Sequence, residues 1–288
     1  MSGSQYTNAK ALFNGIKATL NPVFGENESE ALAQTLIEER LGYSRMQLII
    51  EEEIQILSEQ SEQLDNDIKR ILNQEPIQYV LGTTEFYGRP FLVEPGVLIP
   101  RPETEELVNL IVKENKLAAP RILDIGTGSG CIAVSLAAEI PNGDVGAWDI
   151  SKEALAIAKR NSGYLEVSVS FEQVDILTTK VIGSDFDIIV SNPPYVLESE
   201  KALMQPNVLQ HEPELALFVD DTDPLIFYRT ICEFAANNLV NSGALNFEIN
   251  ESFGTETKLL MESHGFVDVE ILKDLNGKDR MARGKLAP

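Results

Sequence analysis

Phe186-Asp187-Ile188-Ile189-Val190-Ser191-Asn192-Pro193-Pro194-Tyr195 combines an apolar run, a double-proline stop and a polar amide. The run is short, β-branched and almost continuously apolar, as expected of a parallel strand buried on both faces. Pro193 and Pro194 end it, because neither can donate to a sheet ladder. In an open parallel sheet, ligands lie beyond the carboxyl ends of the strands. Asn192, two carbonyl-bearing prolines and Tyr195 therefore fall where chemistry is done. The plainer reading is a proline turn that closes a strand.

Outward from this run, strand and helix patterns alternate beyond Pro120. Strands are expected at Ile122 to Ile125, Val145 to Ile150, Val167 to Val174, Phe186 to Val190 and Ala244 to Ile249. Helices fit between them at Ile132 to Ala138, Lys152 to Asn161, Phe227 to Leu239 and Glu256 to His264. Val267 to Leu272 and Met281 to Leu286 form a terminal hairpin across Asn276-Gly277. The predicted fold class is α/β, a doubly wound, mostly parallel sheet with an antiparallel terminal strand.

Toward the N-terminus the texture is helical. Residues Glu30 to Leu41 carry apolar side chains at a 3.6-residue rhythm, and Gly42 is a stop signal. Ser44, with Gln47 in the capping-box position, opens a predicted helix through Ile49 and Ile54, and another spans Leu64 to Leu72. Glu51-Glu52-Glu53 reads as a solvated helix face rather than a metal site. Residues 1–75 are thus a helical bundle, and 76–100 a linker whose glycines and aromatics suggest a β-hairpin. Residues 101–288 are the α/β domain, which opens with Pro102 and acidic residues suited to a first helical turn.

Gly126-Thr127-Gly128-Ser129-Gly130 follows the first strand of that domain and opens a helix. Glycines there let backbone approach a ligand, and a helix N-terminus offers unpaired N–H groups. The spacing is not the dinucleotide G-x-G-x-x-G pattern, and no Lys follows as in a phosphate-binding loop. Asp149, after the second strand, suits the hydroxyls of an adenosine ribose. Asp175-Ile176, after the third, suits an adenine with one polar and one apolar neighbour. Asp124, just before the glycines, suits a cationic amine. Three acids with no base among them disfavour a diphosphate ligand, and S-adenosylmethionine, which has no phosphate, fits better.

Methyl transfer from a sulfonium needs alignment and exclusion of water more than acid–base help. The Asn192 side-chain oxygen and the Pro193 carbonyl can each accept one N–H of a planar NH2 group. That fixes the nitrogen and stabilises the charge it gains. Pro194 stiffens the turn, and Tyr195 stacks on or walls in the planar group. The target is therefore an amide or an exocyclic base amine.

At these residues the chain resembles the peptide chain release factor N5-glutamine methyltransferases, a branch of the class I S-adenosylmethionine-dependent methyltransferases. The resemblance lies in Glu75 to Gly82, Phe86-Tyr87-Gly88, Ile99 to Leu107, Leu123 to Ile132, Asp149-Ile150-Ser151 and Val190 to Val196. Arg101-Pro102-Glu103-Thr104-Glu105 discriminates most. Ribosomal-protein glutamine methyltransferases and nucleic-acid adenine-N6 methyltransferases share Asn-Pro-Pro-Tyr but not this run. The resemblance implies a seven-stranded methyltransferase sheet and an N-terminal domain that helps dock a release factor. It implies that Gly126 to Gly130, Asp149, Asp175 and Ile176 hold the cofactor. It also implies that Asn192 to Tyr195 hold the glutamine of a Gly-Gly-Gln loop, with Leu98 and Ile99 as walls. Two departures stand out: Val219-Asp220-Asp221-Thr222-Asp223-Pro224-Leu225 replaces a glycine-rich turn, and Asn250 follows Glu248-Ile249 where a glycine is usual. Both are expected to lie away from the cofactor and substrate motifs. His211, beside the first of them, is expected to be a surface-loop residue.

Composition narrows the options. Across 288 residues, 23 Lys and Arg against 45 Asp and Glu give a net charge of -22, which disfavours direct nucleic-acid binding. Cys131 and Cys232 are the only cysteines, so a reducing, cytoplasmic location is expected, with no metal site. No apolar run approaches a membrane span, and the N-terminus has no signal-peptide pattern.

Overall fold

The computed structural model describes residues 4–49, 53–179 and 185–288. These form two units, 1–82 with 206–211 and 83–205 with 212–288.

The first unit begins with β1 (Ser4–Asn8) and α1 (Ala9–Leu41), the latter broken at Gly25, where φ is 76°. Gly42 ends α1 in the left-handed region, its N–H bonded to the Glu38 carbonyl, as a C-terminal glycine should be. Ser44 N–H donates to the Gln47 side chain at 2.9 Å and starts α2 (Arg45–Ile49). The expected continuation of that helix to Ile54 is corrected, because Ile54 lies in β2 (Glu53–Leu57), paired antiparallel with β1. Residues 50–52, including Glu51 and Glu52, lie outside the described residues. Glu53-Ile54-Gln55-Ile56-Leu57 alternates with period two and buries Ile54 and Ile56, the pattern of a half-buried strand.

α3 (Ser58–Leu72) and α4 (Ile77–Leu81) complete this unit before the hairpin. The carbonyls at the end of α4 face two guanidinium groups. Arg40 donates to Val80 O at 2.8 Å and to the fully buried Asp67 at 2.6 Å. Arg70 donates to Tyr79 O at 3.0 Å and is forked on Glu75 at 2.5 and 2.8 Å. Cations at a helix C-terminus complement its unpaired carbonyls.

The second unit opens with the expected hairpin, β3 (Thr83–Phe86) and β4 (Arg89–Leu92), then α5 (Pro102–Glu114) with Pro102 in its first turn. There follow β5 (Arg121–Ile125), α6 (Cys131–Glu139), β6 (Asp144–Asp149), α7 (Lys152–Tyr164), β7 (Ser170–Gln173), β8 (Phe186–Ser191) and β9 (Val196–Leu197). α8 (Pro206–His211) groups with the first unit. The chain resumes with α9 (Glu214–Leu217), β10 (Phe218–Val219), α10 (Ile226–Asn238), β11 (Leu239–Glu248), α11 (Gly254–Ser263), β12 (Phe266–Lys273) and β13 (Asp279–Leu286).

Seven strands pair in the order β12-β13-β11-β8-β5-β6-β7. The ladders from β11 through β7 are parallel, and β13 runs antiparallel to both neighbours. The doubly wound sheet with an antiparallel terminal strand is therefore observed. Chain order reverses between β5 and β8, the place where such sheets open a crevice.

Both faces of β8 are covered, which is why its sequence lacks alternation. Ile188 and Val190 pack with Ile122, Leu107 and Val134, whereas Ile189 packs on the other face with Leu245, Phe247 and Tyr228. Each such buried aliphatic side chain contributes roughly 2 kcal/mol.

Gly130, at φ 82°, is glycine for a packing reason. A Cβ there would lie 3.0 Å from Ala158 Cβ and 3.2 Å from Ala158 Cα, so α7 would have to give way by a few tenths of an ångström to admit one. Gly130→Ala is expected to lower unfolding stability by about 3 kcal/mol, from left-handed strain plus overpacking. Urea denaturation measures this, and an unchanged midpoint would contradict the packing role.

Candidate active site

The carboxyl ends of β5, β6 and β8 surround a cavity of about 320 Å³. Its floor is the glycine turn. Gly126 N–H and Thr127 N–H donate to Trp148 O at 2.8 and 2.9 Å, which folds the turn back onto β6. Gly126 and Gly128 have φ of 77° and 55°, and a Cβ on either would meet nothing within 4 Å. Both line the cavity, so backbone is bared to it where side chains would occupy space. Ser191 Oγ donates to Ile125 O at 2.6 Å and ties the ends of β8 and β5 together across the switch point.

Of the residues expected from sequence, the cavity gathers Leu98, Gly126, Thr127, Gly128, Ser129, Asp149, Asp175, Ile176, Asn192, Pro193 and Pro194. It does not gather Ile99, Asp124, Gly130 or Tyr195. Asp149 Oδ2 accepts Gly128 N–H and Oδ1 accepts Ser151 N–H, both at 2.8 Å. Burial raises its carboxyl pKa, against the pull of those two bonds. Asp175 Oδ1 accepts Leu177 N–H at 3.0 Å, and Ile176 is buried beside it.

Asp124 is fully buried, and its Oδ2 accepts the Thr127 hydroxyl at 2.6 Å. Burial pushes this carboxyl up to about 7; the Thr127 bond opposes that and the Asp149 charge adds to it. In this structure Asp124 supports Thr127. Cys131 lines the cavity, but burial pushes its thiol up to about 12, which leaves it no thiolate character.

Asn192, Pro193 and Pro194 form another wall of the cavity that the glycines line. Asn192 Nδ2 donates to Thr104 Oγ1 at 3.4 Å. The Thr104 hydroxyl donates to Glu248 Oε2 at 2.6 Å, and the Tyr195 hydroxyl donates to Glu248 Oε1 at 2.8 Å. Tyr195 thus turns its phenol toward a buried carboxylate. Burial, and then the Glu248 charge, raise the Tyr195 pKa well above the ordinary phenol value. Glu248 is itself raised by burial and lowered by its two hydroxyl donors.

The two departures do not lie away from this wall, contrary to expectation. Asn250 Nδ2 donates to Tyr195 O at 3.0 Å and so braces the proline turn, while its Oδ1 accepts Ser252 N–H at 2.9 Å. Val219 of β10 pairs with Leu197 of β9, two residues beyond Tyr195. His211 is half-buried and ends α8 rather than lying in a surface loop, and its Nε2 lies 3.2 Å from Asn73 O within the first unit.

Sequence reading missed several residues that hold the site. Glu212, which is buried, accepts Ile99 N–H at 3.1 Å and the Arg101 guanidinium at 2.6 Å. Asn161 is also buried; it donates to Ser129 O at 2.8 Å and pairs both ways with the Leu92 backbone. It thereby pins the glycine turn to the hairpin. Both are polar residues without local signature, and only their burial marks them.

Among the described residues Arg101 is the sole cation lining the cavity, and it is paired with Glu212. Among the described lining residues a diphosphate would find no unpaired cation. A ligand with ribose, adenine and no phosphate fits the bared glycines, Asp149 and the apolar Ile150, Ile176 and Phe227. Among the described residues no cluster of His, Cys, Asp or Glu suits a metal, and no helix is long and apolar enough to cross a membrane.

Residues 103–213 match the methyltransferase small domain, and residues 14–82 match the PrmC N-terminal domain. A methyltransferase of known crystal structure from Pyrococcus furiosus aligns over 78% of this chain and 100% of its own. Its TM-score is 0.52 at 19% identity, a likeness of fold alone. The release factor glutamine methyltransferase of Bacteroides thetaiotaomicron is 48% identical over 267 residues, covering 92% of this chain and 96% of that one. That of Flavobacterium psychrophilum is 46% identical over 268 residues, covering 92% and 94%. The sheet order, the switch-point cavity and the matched domain define a methyltransferase. The chain belongs to the release factor glutamine methyltransferase family.

Proposed function

We propose that this chain transfers a methyl group from S-adenosylmethionine to the side-chain amide nitrogen of the glutamine in the Gly-Gly-Gln motif of a peptide chain release factor. The observation that carries this reading is that Asn192 and Pro193 line the same cavity as the bared glycine turn and Asp149. Bound there, the cofactor would supply an electrophilic methyl group: the S–CH3 bond breaks as the N–CH3 bond forms, the sulfonium sulfur leaves as a neutral thioether, and the amide nitrogen gives up one proton to solvent. Asp149 would accept the ribose hydroxyls, Gly126 and Gly128 would give close backbone approach, and Asp175 with Ile176 would flank the adenine.

Asn192 Oδ1 and Pro193 O each accept one N–H of the substrate amide. An amide nitrogen is a poor nucleophile because its lone pair is delocalised into the carbonyl. The two acceptors favour the arrangement in which that nitrogen gains positive character, so they act more strongly in the transition state than before it. Apolar walls, among them Leu98 and Ile176, exclude water. The net charge of -22 and the commitment of Arg101 to Glu212 support a protein substrate over a nucleic acid. We assign substrate docking to the first unit, of which residues 14–82 match the PrmC N-terminal domain.

Incubating the chain with a purified release factor and tritiated S-adenosylmethionine tests this. The expected result is label on the factor, located by mass spectrometry as one methyl group on the Gly-Gly-Gln glutamine. Label on duplex DNA and none on the factor would overturn it.

A further inference from the structure

Thr104 and Glu248 carry no assigned role, yet both are buried, at 2% and 1% exposure, and both connect to the proline turn. Thr104 comes from the first turn of α5 and Glu248 from the end of β11. They lie 144 residues apart in sequence and are joined by a 2.6 Å hydroxyl–carboxylate bond.

Proton counting gives this contact a direction. A threonine hydroxyl has one proton, and here it is given to Glu248 Oε2. What Thr104 offers Asn192 is therefore a lone pair, which only the Nδ2 end of the Asn192 amide can use. The two ends of a carboxamide have nearly the same shape, so packing alone discriminates poorly between them. The hydroxyl makes the choice, and it leaves Oδ1 as the end free to accept. Were the amide reversed, Nδ2 would confront the N–H groups of an incoming NH2 and repel them. Glu248 keeps the Thr104 proton aimed away from Asn192, and the Tyr195 hydroxyl occupies its other oxygen.

We propose that Thr104 and Glu248 are positioning residues that fix which end of the Asn192 amide is presented to the substrate nitrogen. This rests on the reading of Asn192 as an N–H acceptor. The contact also stitches α5 to β11, so a purely structural role is the competing account.

The test compares Thr104→Val, which keeps shape and loses the hydroxyl, with Thr104→Ser, which keeps the hydroxyl. Initial rates on a purified release factor give kcat and KM, and calorimetry with S-adenosylhomocysteine reports the cofactor site. Thr104→Val is expected to lose about tenfold or more in kcat, with KM and cofactor affinity changed by less than about threefold. Thr104→Ser is expected to recover kcat to within about threefold of wild type. A Thr104→Val enzyme as fast as wild type, or a Thr104→Ser enzyme as slow as Thr104→Val, would overturn the proposal. If Thr104→Val fails to fold, Thr104→Ala is held to the same two criteria. A wild-type chain that leaves the factor unlabelled refutes the proposed function instead, so the two failures are distinguishable.

Discussion

Asn192→Ala is expected to reduce kcat on a release factor by roughly 100-fold, about 3 kcal/mol in barrier. The magnitude follows from losing one of two acceptors aimed at the reacting nitrogen. Deleting a single preorganised hydrogen-bonding group at a developing charge costs a comparable amount in acyl-transfer enzymes. Asn192 is only half-buried, and among the described residues its side chain bonds only Thr104, at long range, so the truncation leaves one polar group without a donor. Its effect on stability is therefore expected to be under about 1 kcal/mol. Single-turnover rates with saturating S-adenosylmethionine separate the chemical step from binding. A rate within about threefold of wild type would refute the assigned role.

Asp149→Ala is expected to weaken cofactor binding by roughly 100-fold, about 3 kcal/mol. Two effects combine. The ribose hydroxyls lose a charged acceptor, and the N–H groups of Gly128 and Ser151 lose the carboxylate that holds the turn. Asp149→Asn keeps one acceptor oxygen and is expected to fall between the wild type and the alanine variant. Calorimetry with S-adenosylhomocysteine measures both. An unchanged affinity in Asp149→Ala would remove Asp149 from the cofactor site.

The residues named in these experiments differ in how they became visible. Asn192 and Asp149 announce themselves locally, since each stands at the end of an apolar strand and next to prolines or a helix start. The glycine turn does likewise, although its members divide by task. Gly126 and Gly128 bare backbone to the cavity, whereas Gly130 makes room for Ala158. Sequence spacing treats the three alike, because the contact that separates their roles comes from a helix beyond the next strand. Asp124 is a similar case. Its position before the turn suggests a ligand contact, and the fold adds what spacing does not show, that it is buried and accepts the Thr127 hydroxyl.

The stretch from Ser44 to Leu57 illustrates a different limit. Its apolar residues allow a helix throughout, and α2 does form, but Ile54 and Ile56 enter β2 because Ser4–Asn8 offers a pairing partner. Strand propensity depends on a neighbour, and that neighbour lies some 50 residues earlier.

By itself the sequence determined the strand–helix alternation, the antiparallel ending, the glycine turn and the Asn-Pro-Pro wall. All of these rest on period, breakers and short motifs, which are local properties of the chain. Tertiary structure alone decided how that wall is oriented. Asn192 reaches Thr104 across 88 residues, Tyr195 reaches Glu248 across 53, and Asn250 reaches back to the Tyr195 carbonyl across 55. Hydrogen bonds between such distant residues leave no spacing to read. They exist because the sheet brings the end of β11 beside the end of β8, where buried polar groups must find partners.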